Sequence, residues 1–247
     1  MYKTTKALVL REVRYKEADR IITVLTPQDG RMTVKARGAL RKNSVTAAAT
    51  QHLCWSEMTL FGSRGRWTVN EASTLEEFSG LRADISALAL GSYFAECLEA
   101  FSAEDVPDEN MLQLGLNSLY ALSRGLYEQK LIKSFFELRL MCLTGYEPDL
   151  TGCAVCGREN PEKPVFSVDD GALCCHGCRA SMAGAGVSVT PAALSAMRYI
   201  CCAPAKKLFA FPVEGEDLNA LYAAAESYIL LKSERRFGAL DYWKKVR

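Results

Sequence analysis

Apolar and polar residues change rhythm once along this chain, near residue 74. Before that point the period is two, the signature of half-buried strands. Thr5–Val13 is rich in β-formers. Ile21–Thr26 makes a second strand, stopped by Pro27 and turned at Asp29-Gly30. In Arg31–Arg37, Met32, Val34 and Ala36 share one face, and Arg31, Thr33, Lys35 and Arg37 share the other. Leu53–Phe61 and Arg66–Ala72 flank the turn Gly62-Ser63-Arg64-Gly65. Five short strands in this span predict a small barrel. The five-stranded barrel that binds oligonucleotides is the OB-fold; a small SH3-like barrel has a similar strand pattern.

After residue 74 the period becomes helical. Thr74 with Glu77 reads as a capping box that opens the helical part. Asp84 starts a helix that runs to Phe101, and Pro107-Asp108 starts one that carries Leu112, Leu116, Leu119 and Leu122. Lys130–Leu143 is a third, ended by Gly145 and Pro148. Thr190-Pro191 opens a helix to Cys202, and a last helix spans about Asp217 to Arg236. The fold class expected is α+β and multidomain. A small N-terminal OB-like β-barrel over residues 1–79 precedes a helical domain over 80–247, which carries an inserted four-cysteine element at about 150–185.

That element is the strongest chemical signal. Cys153-Ala154-Val155-Cys156 and Cys175-His176-Gly177-Cys178 are two CxxC pairs with an eighteen-residue insert. Two tight turns, each presenting two thiolates, complete a tetrahedron around Zn²⁺. With four protein ligands no position stays open for water or substrate, so one structural zinc ion is expected at Cys153, Cys156, Cys175 and Cys178. A redox CxxC would occur once, beside a βαβ pattern. Cys174 and His176 adjoin the second pair. The regular spacing favours Cys175 over Cys174, and His176 lies in the backbone between two thiolates, which favours a non-ligand.

Charge divides the chain. Residues 1–70 hold 13 Lys+Arg against 5 Asp+Glu, residues 71–229 hold 11 against 22, and residues 230–247 hold 6 against 2. A basic head and tail around an acidic middle point to a polyanionic partner. Lys35 and Arg37 lie on one strand face, and Arg41 and Lys42 lie in the glycine-led loop Gly38–Ser44 that follows. Such a loop can follow a phosphate backbone. Tyr15, Trp55, Phe61 and Trp67 are the aromatics available for base stacking, although barrel aromatics are more often core.

No run of 18 apolar residues and no signal-peptide core occurs, so neither a membrane span nor export is expected. Ten cysteines, four of them in metal spacing, suit a reducing cytoplasm. There is no GK[ST] phosphate loop, no HExxH and no nucleophile elbow. With two histidines, His52 and His176, acid–base catalysis by His has little support, and no catalytic residue is assigned.

The chain resembles the RecO family of bacterial DNA repair and recombination mediators over its full length. The resemblance rests on Glu17-Ala18-Asp19-Arg20 with the strand and Thr26 after it, on Gly30, and on the Gly38-Ala39-Leu40-Arg41-Lys42 loop. It rests most on Phe136–Leu140, Gly145–Leu150 and Cys153-x-x-Cys156-Gly157. It implies an OB-fold, a helical domain and a zinc element. It implies binding of single- and double-stranded DNA, annealing of complementary strands, and help in loading RecA onto strands coated with single-strand-binding protein. The implied partners are RecR and the acidic tail of the single-strand-binding protein; the implied location is the cytoplasm, at the nucleoid. The DNA contacts expected are Arg20, Lys35, Arg37, Arg41 and Lys42. An acidic tail needs an apolar hole ringed by cations, which Lys130, Lys133 and Arg139 beside Leu131, Ile132, Phe135 and Phe136 would supply; a packed core helix reads the same way. The alternatives are a zinc-containing RNA-binding or translation-associated protein, and a protein-binding adaptor using the acidic middle.

Overall fold

The alternating segments form strands β1 (Tyr2–Tyr15), β2 (Asp19–Thr26), β3 (Gly30–Ala36), β4 (Trp55–Ser63) and β5 (Arg66–Glu76). The structure, a computed structural model, describes all residues 1–247. The five strands close in the order β1-β2-β3-β5-β4, a barrel of the OB type. Closure depends on β1 serving two neighbours. Its first half pairs with β4 from Tyr2↔Phe61 to Leu8↔Trp55, and its second half pairs with β2 from Leu8↔Leu25 to Tyr15↔Asp19. A bulge between Val9 and Arg11 bends the strand at the hand-over. The last seam is the short parallel pairing of Val34 with Trp67 and Lys35 with Thr68. The face predicted to be apolar on β3 is indeed inside: Met32, Val34 and Ala36 pack with Val9, Ile22, Val24, Met58 and Leu60.

The chain divides into two compact units, Met1–Arg124 with Phe237–Arg247, and Gly125–Arg236. The first unit thus extends past the barrel. Helices α1 (Ser79–Ala83), α2 (Ile85–Phe101) and α3 (Glu109–Ser123) belong to it, and the chain returns to it with α7 (Gly238–Val246). Asp84 caps α2 by accepting from Ser86 N at 2.8 Å, and Asp108 caps α3 by accepting from Met111 N at 2.9 Å. The expected capping box at Thr74 and Glu77 does not form. Thr74 pairs with Ser56 inside β5, which runs on to Glu76, because β4 offers a ladder partner as far as Trp55. The helix begins at Ser79 instead, after Phe78 in the left-handed region. The chain beyond residue 236 is a helix of this unit. Phe237 meets Tyr93 edge-on at 5.4 Å, and Leu240 and Trp243 are buried.

The second unit packs α4 (Gln129–Leu143), α5 (Pro191–Cys202) and α6 (Gly215–Ser233) together. Thr190 caps α5, accepting from Ala193 N at 3.0 Å, with Pro191 in the first turn. The helix predicted to reach Arg236 stops at Ser233, where Glu234 turns left-handed. Between α4 and α5 lies a three-stranded sheet absent from the sequence reading: β6 (Pro164–Ser167), β7 (Ala172–Cys175) and β8 (Gly186–Ser188), ordered β7-β6-β8. Phe166 of β6 packs edge-on against Tyr228 of α6, 5.1 Å between ring centroids.

Candidate nucleic-acid interface and metal centre

One side of the barrel carries a groove of about 890 Å³, bounded by β2, β3 and the β4–β5 hairpin. Lys35 and Arg37 line it from β3, and Arg64 and Arg66 line it from the hairpin. Tyr15, Phe61 and Trp67 supply its rings. The hairpin turn is two residues, Arg64 at φ 51° and Gly65 at φ 71°, closed by the pair Ser63↔Arg66. Positive φ at both central positions is a type I′ turn, which follows the twist of the strands. Arg64 and Arg66 are therefore held out from the barrel rim, exposed and without an ion pair. Trp67 lies flat over Gly62: a Cβ there would sit 2.7 Å from the indole. A side chain at residue 62 would lift that ring from its place in the groove wall.

Lys35 is not an independent cation. Its Nζ lies 2.8 Å from Asp19 Oδ2 and 4.9 Å from the centroid of Tyr15. The Lys35 ammonium, then the Gly38 N–H, hold the Asp19 carboxyl below its ordinary range. Asp19 thereby ties the ring of Tyr15, through Lys35, to the base of the following loop, where Gly38 N donates to Asp19 Oδ1 at 2.8 Å. Arg37 is exposed on the groove wall. Arg41 and Lys42 are exposed on the loop but do not line the groove; the Arg41 side chain folds over Gly38. Arg20, expected among the DNA contacts, is committed elsewhere. It donates to Ala47 O at 2.8 Å and Thr50 Oγ1 at 3.2 Å and faces Glu12 at 3.5 Å, so it pins the chain between β3 and β4.

The two CxxC pairs meet in the second unit. The four sulfurs of Cys153, Cys156, Cys175 and Cys178 all lie within 4.8 Å of one another. Cys153 to Cys175 and Cys156 to Cys175 both measure 3.8 Å. A tetrahedron with Zn–S bonds of about 2.3 Å has edges of about 3.8 Å, so the cage has the dimension zinc needs. The first turn is set by Gly157 N donating to Cys153 O at 2.8 Å and Cys153 N to Arg158 O at 2.9 Å. Burial pushes the Cys153 thiol up, but backbone N–H groups of Cys156, Cys175 and Val155 outweigh it and bring it down to about 6. One ligand is thus prepared as a thiolate. Strand alternation on β7 settles the neighbours: Cys175 joins the cage while Cys174 is buried beside Val165. His176 is exposed, and its N–H donates to Lys163 O at 3.0 Å.

A family model described as Recombination protein O N terminal matches residues 1–78, and one described as Recombination protein O C terminal matches residues 82–241. The chain belongs to the RecO family. It is therefore a RecO-family protein of DNA repair and recombination. Among its relatives, the DNA repair protein RecO of Acetivibrio thermocellus is 32% identical over 245 residues, covering 99% of this chain and 97% of that protein. The DNA repair protein RecO of Desulforudis audaxviator is 40% identical over 175 residues, 71% of this chain and 70% of that protein.

The cation ring expected on α4 of this RecO chain does not assemble on a surface. Lys133 is 0% exposed, 2.7 Å from Glu137 and 2.8 Å from Glu226. Arg139 donates to Ile200 O at 3.1 Å and Cys201 O at 2.5 Å, and Lys130 to Asn219 at 2.7 Å. Phe135 and Phe136 are core. An apolar face with interspersed basic residues describes a packed helix equally well, and of the two carboxylates that take Lys133, Glu137 lies one turn on in α4 while Glu226 comes from α6, out of reach of a sequence pattern.

Sequence reasoning missed Arg64, read as part of a turn, and Arg66, read as the start of a strand. Their signal was present: two arginines flank a glycine between alternating segments, which is a hairpin tip. It also missed Arg198. This side chain donates to Leu150 O at 2.8 Å, Asn160 Oδ1 at 2.8 Å, Thr151 O at 3.4 Å and Glu159 O at 2.5 Å, and so fastens both ends of the first cysteine turn to α5.

Proposed function

We propose that this chain binds single-stranded DNA along the barrel groove and anneals complementary strands. In this reading it acts as a recombination mediator that helps load RecA onto strands coated with single-strand-binding protein. The observation that carries the reading is the groove itself: Lys35, Arg37, Arg64 and Arg66 around the rings of Tyr15, Phe61 and Trp67. Cations neutralise phosphates and release counterions, while rings accept bases of any identity. A duplex hides its base faces, so a ring-lined groove favours a single strand; duplex DNA would be held by charge alone. Family membership supports RecR and the acidic tail of the single-strand-binding protein as partners. The zinc ion belongs to the same proposal, held by Cys153, Cys156, Cys175 and Cys178 with every coordination position filled, a structural role.

The test is salt-dependent binding of fluorescent oligonucleotides, followed by annealing with and without single-strand-binding protein. With Lys35 held by Asp19, the three unpaired arginines give a log–log salt slope of about −2. Replacing Arg37, Arg64 and Arg66 with alanine should bring it close to zero and weaken binding alike across sequences. If that variant keeps the parent slope, the strand runs elsewhere. Preference for single-stranded RNA over DNA in competition would favour an RNA-binding protein.

A further inference from the structure

Strand register places Asp19 behind the wall of the barrel groove. Tyr15 of β1 is opposite Asp19 of β2, and Ile21, two residues on, is opposite Lys35 of β3. Side chains alternate along a strand, so these four share one face. Tyr15, Ile21 and Lys35 line the groove, and Asp19 does not. Its side chain is 18% exposed, against 29% for Lys35. Asp19 Oδ2 holds the Lys35 ammonium at 2.8 Å, and that ammonium stands 4.9 Å from the centroid of Tyr15. One carboxylate therefore keeps both a cation and the face of a ring from a passing strand.

The carboxylate itself is fixed. Asp19 Oδ1 accepts from Gly38 N at 2.8 Å, and the neighbouring Ala18 O accepts from Leu40 N at 2.9 Å. Lys35, by contrast, carries its charge on a flexible four-carbon stem. The ammonium can move and the carboxylate cannot. Arg37, Arg64 and Arg66 line the same groove with no carboxylate partner.

We propose that Asp19 is a release device for a single strand in this groove: it competes with phosphate for Lys35 and keeps the grip loose enough for the strand to leave once it has paired. The inference rests on the groove being the path of the strand, and adds how the grip is limited. A phosphate that takes Lys35 must displace Asp19, and leaves a fixed carboxylate unpaired beside the strand. Two anions then share one ammonium, and like charges repel. Contact with Lys35 thus adds little net affinity, whereas the three arginines contribute in full. A protein that anneals must hold each strand and then give up the product. A groove with every cation free would hold longest, since affinity differences between related complexes lie mostly in the off-rate.

The experiment measures binding of fluorescein-labelled oligothymidylate to the full chain across salt concentrations, with strand dissociation and annealing followed by stopped flow. Asp19→Asn keeps an oxygen for Gly38 N and removes the charge. It should free Lys35, steepen the log–log slope from about −2 to about −3, and tighten binding about fivefold at about 0.1 M salt. The strand should leave more slowly, and annealing at saturating protein should slow with it. In a Lys35→Met background the same Asp19→Asn change should alter neither slope nor affinity. In the parent chain, the Asp19 carboxyl carbon followed by NMR should titrate at higher pH once oligothymidylate is bound, because Lys35 has left it. Asp19→Asn with the parent slope and affinity, or a gain that survives in the Lys35→Met background, would overturn the proposal. So would an Asp19 titration that the oligonucleotide leaves unmoved, a result that depends on no variant folding. Dispensable Arg37, Arg64 and Arg66 would remove the groove as the path and this device with it. Essential arginines with a silent Asp19→Asn would leave the groove and remove only the device.

Discussion

Lys133 Nζ lies 2.7 Å from Glu137 Oε1, one turn further along the same helix, and neither side chain reaches solvent. Glu226 of α6 completes the group at 2.8 Å and also accepts from the Tyr222 hydroxyl at 2.7 Å. A charge this deep persists only because partners surround it, and removing one strands the others. Lys133→Ala should therefore cost about 3–5 kcal/mol in urea unfolding. Lys133→Met together with Glu137→Gln, which removes charge and keeps volume, should cost clearly less. Equal losses in the two variants would mean that packing, not charge, is what Lys133 contributes.

Metal should be recovered with the protein at one zinc per chain. Cys153→Ser or Cys178→Ser should unfold residues 150–185 locally while the barrel keeps its stability, because the barrel lies in the other compact unit. Amide exchange read segment by segment checks this: protection should fall in β6, β7 and β8 and hold in β1 to β5. Zinc should also be released as pH falls, since protons compete for the thiolates.

Within the groove, Arg64→Ala with Arg66→Ala should weaken single-strand binding more than Arg41→Ala with Lys42→Ala, because the hairpin arginines line the groove and the loop pair does not. Trp67→Ala should cost about 1–3 kcal/mol of binding with the salt slope unchanged, since stacking releases no counterions. Titrations at several salt concentrations separate the two effects.

His52 gives the first unit an acid sensitivity. Burial, and then the nearby Arg82 guanidinium, lower it from 6.5 to about 4; its Nε2 contacts Ser92 Oγ at 3.2 Å. Between those values the unfolded chain binds a proton that the folded chain does not, so stability falls as pH falls. Above about pH 7 the group contributes no slope. Across the window the loss is at most about 3 kcal/mol. His52→Gln should flatten the stability curve from pH 6.5 to 4 relative to the parent; a curve of unchanged slope would assign the acid loss to other groups.

Periodicity was enough to find the barrel strands, since alternation at Met32, Val34 and Ala36 records which face is buried. It failed at Thr74, where a cap signal lost to a strand ladder already under way. The sheet of the cysteine element was illegible because its strands are three or four residues long, too short for a period. The basic residues of α4 misled because a lysine destined for two buried carboxylates looks, in one dimension, like a lysine destined for solvent.

By itself the sequence determined what short-range chemistry determines. It set the strand and helix periods, the four candidate ligands given by the CxxC spacing, the preference for Cys175 over Cys174, and the basic character of the head. Tertiary structure decided which charges are spent. It buried Lys133, turned Arg20 inward to the chain before β4, paired Lys35 with Asp19, and left Arg37, Arg64 and Arg66 exposed along one groove. The reason is physical: periodicity reports the contact of a side chain with solvent or core, whereas the partner that neutralises a charge often comes from a segment distant in the chain, and only the fold brings it there.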